Sequence, residues 1–116
     1  MPLFPKFVED SRIPALLSKV GPIEISAISL GMFVFSRGKI SAVTRQHESI
    51  HYLQWRELGF VLFPPLYGWF YLRNRLRGLS PQQAYMQNPF EREAYTQQSA
   101  WQYLQRRHFL AWLDFL

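Results

Sequence analysis

Residues 41–59 read SAVTRQHESIHYLQWRELG, and this stretch has the start and stop signals of one complete α-helix. Ser41 and Thr44 are both suitable N-terminal caps, because a side-chain hydroxyl accepts a hydrogen bond from a backbone N–H of the first turn. Gly59 suits the position after a helix, where the backbone often turns left-handed. We therefore predict a helix that begins near Ser41 or Thr44 and ends at Leu58.

This predicted helix contains two of the three histidines of the chain. A helix advances by about 100° per residue, so His47 and His51 are about 40° apart and both can reach one ion. Glu48 is rotated by about 100° from His47, which places it beside a water bound to that ion. Arg45 and Arg56 fall on the opposite side, so we expect the histidines to face the protein body. The pattern H-E-x-x-H in this setting indicates a zinc site with a general base.

A catalytic zinc has three protein ligands, so a third must come from elsewhere in the chain. The sequence contains no cysteine, which excludes disulfides and leaves histidine or carboxylate. His108 is the remaining histidine, and Glu91 and Glu93 lie in a predicted helix that opens at Asn88 and Pro89. These two glutamates are about 160° apart on that helix, so only one can face the histidines. Helical periodicity does not choose between them.

The composition predicts one domain, because 48% of its 116 residues are hydrophobic and can form a packed core. A short β segment followed by helices predicts the α+β class, mainly α. Residues 1–20 contain several prolines and are predicted to be a mostly irregular lead-in, whereas residues 21–116 form the domain. Residues 22–35 are rich in β-branched and aromatic side chains. They predict one bent strand, or one strand with a bulge at Gly31.

A helical body is expected after the histidine helix. Prolines near the first helical position indicate three further helix starts. The predicted helices cover residues 64–76, residues 81–88, and residues 89 to at least 107. The expected architecture is a short β segment, then the histidine helix, then these helices.

The formal net charge of +5 allows attraction to anionic lipid or nucleic acid. No nucleic-acid-binding motif is evident, so no such partner is expected. The strongest apolar window, residues 60–72, is shorter than the roughly 20 residues that a membrane-spanning helix needs. We therefore expect a soluble, cytoplasmic protein. Aromatics and arginines between residues 60 and 77 also suit association with a membrane surface.

The segments His47-Glu48-Ser49-Ile50-His51 and Glu91-Arg92-Glu93-Ala94-Tyr95 together resemble the gluzincin class of zinc metallopeptidases. In size and layout the chain is similar to the minimal single-domain forms called minigluzincins, over residues 23–107. One gluzincin branch has its third ligand in an E-x-x-A-D segment. On that pattern Glu91 is the third ligand beside His47 and His51, and Tyr95 stands where the branch has aspartate.

The resemblance implies hydrolysis of peptide bonds, with Zn²⁺ activating a water and Glu48 acting as the general base. The partner would be a peptide or protein substrate, extended along the strand before the histidine helix. Residues 1–20 would cover the cleft in a latent form. Tyr95 and His108 are further candidates for stabilising the oxyanion. The alternative functions are a catalytically inactive zinc-binding domain or a basic, aromatic membrane-surface module.

Overall fold

The structure, a computed structural model, describes residues 5–20 and 27–116, and within helix α1 nothing is described of the Val20 side chain. The described residues form three strands, six α-helices and a terminal 3-10 helix, which confirms the α+β, mainly helical prediction. In chain order they are β1 (Lys6–Val8), α1 (Ile13–Val20), β2 (Ala27–Leu30), β3 (Phe33–Ser36), α2 (Ala42–Glu57), α3 (Phe63–Leu76), α4 (Pro81–Met86), α5 (Pro89–Gln97), α6 (Tyr103–Arg106) and the 3-10 helix (Ala111–Phe115). None of the helices in this described part of the chain has the length and apolar character to cross a bilayer.

The three strands form one sheet in the order β1-β3-β2. β2 and β3 are an antiparallel hairpin, with Ala27 opposite Ser36 and Leu30 opposite Phe33. The prediction of one bent or bulged strand was wrong, because Gly31 adopts a φ of +62° in a two-residue turn that reverses the chain. Predicted strand residues 22–26 lie outside the described residues.

The N-terminal segment is more regular than predicted. β1 pairs in parallel with β3, from Lys6 opposite Phe33 onward. α1 begins after Ser11, whose Oγ accepts a hydrogen bond from the Ile13 N–H at 3.1 Å. Pro14 is the second residue of α1, where a missing N–H costs no helical hydrogen bond. The prolines that suggested irregular structure are thus compatible with a helix start, and residues 1–4 lie outside the described residues.

The local signals for the histidine helix predicted its limits correctly. Ser41 is the N-cap of α2, and its Oγ accepts a hydrogen bond from the Thr44 N–H at 3.1 Å. Gly59 follows the helix with a φ of +69°. Further along, Ser80 caps α4 and Asn88 caps α5 through hydrogen bonds to backbone N–H groups. The predicted starts of these two helices are confirmed.

The last predicted helix is interrupted, which corrects the expectation of one helix through residue 107. α5 ends at Gln97, and a loop precedes α6. The side-chain amide of Gln46, a buried residue, donates to the backbone oxygens of Gln97 at 2.9 Å and Ala100 at 2.6 Å. These carbonyl groups therefore have a partner on α2, and the chain turns there because of a tertiary contact.

A cluster of aromatic rings fixes the start of α5. Phe90 is fully buried at its centre, with ring-centroid distances of 4.7 Å to Phe63, 5.8 Å to Phe70 and 4.6 Å to Trp112. Because Phe90 directly precedes Glu91, this cluster anchors the backbone that carries the glutamate predicted as a ligand.

Replacing Phe90 by alanine should lower the free energy of unfolding by about 3–5 kcal/mol, because a cavity replaces a buried ring. The matched control is Phe109→Ala, since Phe109 is 70% exposed and its loss should change stability by no more than about 0.5 kcal/mol. Urea unfolding followed by circular dichroism measures both. Equal stabilities of the two variants would show that this aromatic cluster does not hold the fold.

Candidate metal centre

The inward face of α2 carries the histidine motif. His47, Glu48, His51 and Gln54 are all buried, although each has a polar or charged side chain. Burying polar or charged side chains costs free energy unless each one forms a hydrogen bond or an ion pair, so we expect partners around these four residues. The predicted orientation of the histidines toward the protein body is confirmed.

Glu91 completes a three-residue cluster with the two histidines. Its Oε1 lies 3.2 Å from His47 Nε2 and 3.0 Å from His51 Nε2. In the described part of the chain this is the one group of three histidine or carboxylate residues able to hold a metal ion, with ligand atoms within 4.8 Å of one another. Tetrahedral zinc with bonds of about 2.0–2.1 Å separates its ligand atoms by about 3.3 Å. The two distances from Glu91 Oε1 to the histidine nitrogens are close to that separation.

The outer ring nitrogens of both histidines are held by glutamine side chains. His47 Nδ1 donates to Gln98 Oε1 at 2.9 Å, and His51 Nδ1 donates to Gln54 Oε1 at 2.7 Å. The Gln54 amide is oriented by its own donation to the Phe90 carbonyl at 3.0 Å. With Nδ1 held by a glutamine, each imidazole turns its Nε2 toward the centre, where that nitrogen can bind a metal ion once it carries no proton.

The second oxygen of Glu91 is also held. Tyr67, on α3, donates its hydroxyl to Glu91 Oε2 at 2.7 Å. Burial and the nearby Glu91 charge raise the pKa of Tyr67 above its ordinary value, so the phenol stays a donor. Sequence reasoning missed this residue, because its place in an apolar aromatic helix gives no sign that its hydroxyl meets a carboxylate.

The cluster without a metal is an ion pair. Burial opposes ionisation of Glu91, but the charge of His51 and hydrogen bonds from both histidines hold the pKa of Glu91 well below its ordinary value. Burial likewise opposes the charge on His51, yet the Glu91 carboxylate raises the pKa of His51 to about 9. The Nε2 proton of His51 therefore lies where a divalent cation could replace it.

Glu48 has the features expected of a base beside this centre. It is buried, and its Oε2 has no hydrogen-bond partner among the described residues. Burial raises the pKa of Glu48, while the nearby charges of His47 and His51 oppose that rise. A buried carboxylate oxygen without a partner is uncommon in a folded protein, so this atom is suited to a group such as water.

Glu93, the alternative ligand, has a different role. It is fully buried on the other side of α5 and accepts hydrogen bonds from Tyr103 at 2.7 Å and from Arg107 at 2.6 Å. Arg107 also binds Glu57 at 2.8 Å. Because Glu93 is bound to these partners, it does not point toward the histidines, and of the two glutamates only Glu91 lies beside them.

Of the two further candidates, Tyr95 lies beside the histidine cluster and His108 lies outside it. The Tyr95 ring packs edge-on against His47, with centroids 4.4 Å apart, and its hydroxyl lies 2.8 Å from the Tyr85 hydroxyl. The Tyr95 hydroxyl is not the partner of the His47 Nδ1, which binds Gln98. His108 is 63% exposed in its side chain, where it pairs with Asp114 at 2.8 Å outside the cluster.

Comparison with known proteins adds no family to this picture. No known protein family, curated protein or solved structure matches the chain.

Proposed function

We propose that this protein is a zinc-dependent metallopeptidase, with Zn²⁺ bound by His47, His51 and Glu91. The observation that carries the proposal is the convergence of two Nε2 atoms on one Glu91 oxygen, at 3.2 and 3.0 Å. The base proposed for the reaction is Glu48, which directly follows His47 in the sequence and is buried. Its Oε2 has no hydrogen-bond partner among the described residues. Both features are properties of this chain's own residues.

The donor set fits zinc better than calcium or magnesium. Two imidazole nitrogens and one carboxylate are ligands of catalytic zinc sites, whereas calcium and magnesium prefer oxygen alone. Three protein ligands leave one position for water or substrate. The glutamines behind both histidines and Tyr67 behind Glu91 hold the ligands in the required orientation.

A zinc ion bound here would lower the pKa of a coordinated water and polarise a peptide carbonyl. Glu48 would accept the proton of that water and pass it to the leaving amine. Burial raises the pKa of Glu48, which makes the carboxylate a stronger base for the proton that it would accept. Tyr95 is partly exposed beside His47, so it stays a candidate for contacting the oxyanion.

An edge of the sheet supports a peptide as the substrate class. Within the described residues, β2 has a strand neighbour on one side only, and it packs against α2. An extended peptide can add to such an edge through backbone hydrogen bonds. β1, from the lead-in, pairs instead with the far side of β3. The described lead-in strand therefore does not cover the free side of β2, where a substrate could add. A latent form in which residues 1–20 cover the cleft stays a prediction.

Zinc binding should depend on the cluster and on the residues behind it. The wild-type protein should hold about one zinc per chain, and His47→Ala should lose it. Gln98→Ala should weaken zinc binding by about 10–100-fold, because the His47 ring loses its orienting partner. Elemental analysis and chelator competition measure these effects. His108→Ala is the matched control, and loss of zinc in that variant would contradict the assignment.

Zinc affinity should rise with pH. In the metal-free protein Glu91 raises the pKa of His51 to about 9, so at neutral pH a proton must leave His51 before zinc binds. Affinity should then increase by about tenfold per pH unit up to about pH 9 and level off above it. Calorimetry in buffers of different ionisation enthalpy should show a proton released at pH 7. An affinity that stays constant from pH 7 to 9 would refute the ion-pair description.

Replacing Glu48 by glutamine should separate binding from catalysis. The variant should keep its zinc, because Glu48 is not a ligand, and should lose about 10²–10⁴-fold in peptide hydrolysis. Cleavage of a fluorogenic peptide library measures the activity, with Asp114→Asn as the control for loss of an exposed carboxylate. A fully active Glu48→Gln variant would exclude Glu48 as the base. A wild-type protein that binds zinc but cleaves no peptide would favour an inactive zinc-binding domain.

A further inference from the structure

Helix α3 has two faces with opposite surroundings. On its inner face Tyr67 binds Glu91, and the Phe63 ring lies 6.2 Å from the His51 ring. Phe70 on the same face packs into the aromatic core. The inner face of α3 therefore packs against the candidate metal centre and the aromatic core. These contacts hold the helix in place.

The outer face of α3 is apolar and exposed. Leu62, Pro65, Trp69, Leu72 and Leu76, here called the α3 stripe, fall within an arc of about 80° on a helix. The four members other than Pro65 are between 50% and 76% exposed. An exposed, contiguous patch of large apolar side chains on a folded domain indicates an interaction surface.

Positive charge lies at one end of the stripe. Arg73, Arg75 and Arg77 occupy the last turn of α3 and its C-cap. No acidic residue occurs in the sequence between Glu57 and Glu91. In the described part of the chain, none of the three arginines forms an ion pair. The apolar face therefore ends in positive charge that the described protein does not neutralise.

We propose that the α3 stripe binds the surface of a bilayer that contains anionic lipid. The apolar side chains would enter the boundary between headgroups and acyl chains, and the arginines would bind lipid phosphates. Trp69 suits this depth, because its ring is apolar and its N–H remains able to bind water or headgroups. A helix of 14 residues is too short to cross the bilayer, so α3 lies along its surface.

Charge argues against a second copy of the chain as the occupant. A two-fold interface uses the same surface on both subunits. α3 carries no acidic residue, so two copies of this face could not neutralise their own arginines. Anionic lipid satisfies both the apolar stripe and the charge at its end. The proposal does not depend on the metal centre or on peptidase activity.

Co-sedimentation of the full chain with lipid vesicles tests the proposal. The protein should bind vesicles of phosphatidylcholine mixed with phosphatidylserine, bind far less to phosphatidylcholine alone, and dissociate at high salt. The double variant Trp69→Gln/Leu72→Gln should reduce binding by at least about tenfold, because both side chains enter the interface. Phe109→Gln/Leu116→Gln is the matched control, since these apolar residues are similarly exposed elsewhere.

A second variant tests the charge. Arg75→Gln/Arg77→Gln should weaken binding to the anionic vesicles by about 25-fold, or about fivefold per arginine. Thermal unfolding should show that both variants of α3 fold like the wild type, because all four replaced side chains are exposed. Failure of the wild type to bind anionic vesicles, or equal binding by the stripe variant, would overturn the proposal. So would a lipid-free dimer, seen by light scattering, that the stripe variant dissociates.

Discussion

The buried pairing of Glu91 with His47 and His51 is the interaction on which the rest of the structure depends. Charged groups inside a protein are costly unless each has a partner, and here three helices supply the partners. α2 provides the histidines, α5 provides the carboxylate, and Tyr67 of α3 holds its second oxygen. The cluster therefore requires all three helices to pack in one arrangement.

A second chain of contacts ties the cluster to the C-terminal part of the fold. The Gln54 Oε1 accepts a hydrogen bond from the His51 Nδ1, and the Gln54 amide donates to Glu93 at 2.9 Å. Glu93 in turn binds Arg107, which binds Glu57. Since Glu93 is neutralised by Arg107, the rotation of α5 about its axis is determined. That rotation points Glu91 at the histidines.

The parts of the fold that were predictable from sequence depend on local chemistry. Caps such as Ser41 and Asn88 act within one turn, so the starts of α2 and α5 could be placed. The third ligand could not be chosen by periodicity, because the choice depends on Arg107, which follows α6. The early end of α5 has a similar cause, since the amide of Gln46 on α2 binds the carbonyl groups there. The resemblance to gluzincins favoured Glu91, which lies beside both histidines, and its role as a metal ligand stays a prediction.

Helix α3 connects the two proposals. It presents Tyr67 to Glu91 of the candidate metal centre on one side and the α3 stripe to the surroundings on the other. With the α3 stripe on a bilayer, the candidate metal centre would lie on the side of α3 that faces away from lipid. A peptidase with this arrangement would meet substrates near a membrane surface.

X-ray absorption at the zinc edge tests the central claim most directly. The zinc-loaded wild-type protein should show about four nitrogen or oxygen atoms at about 2.0–2.1 Å, with the scattering pattern of two imidazole rings. Two imidazole ligands would agree with His47 and His51 binding the ion together, with the remaining positions left for Glu91 and solvent. A spectrum with one imidazole or none, or with six oxygen atoms, would contradict the account.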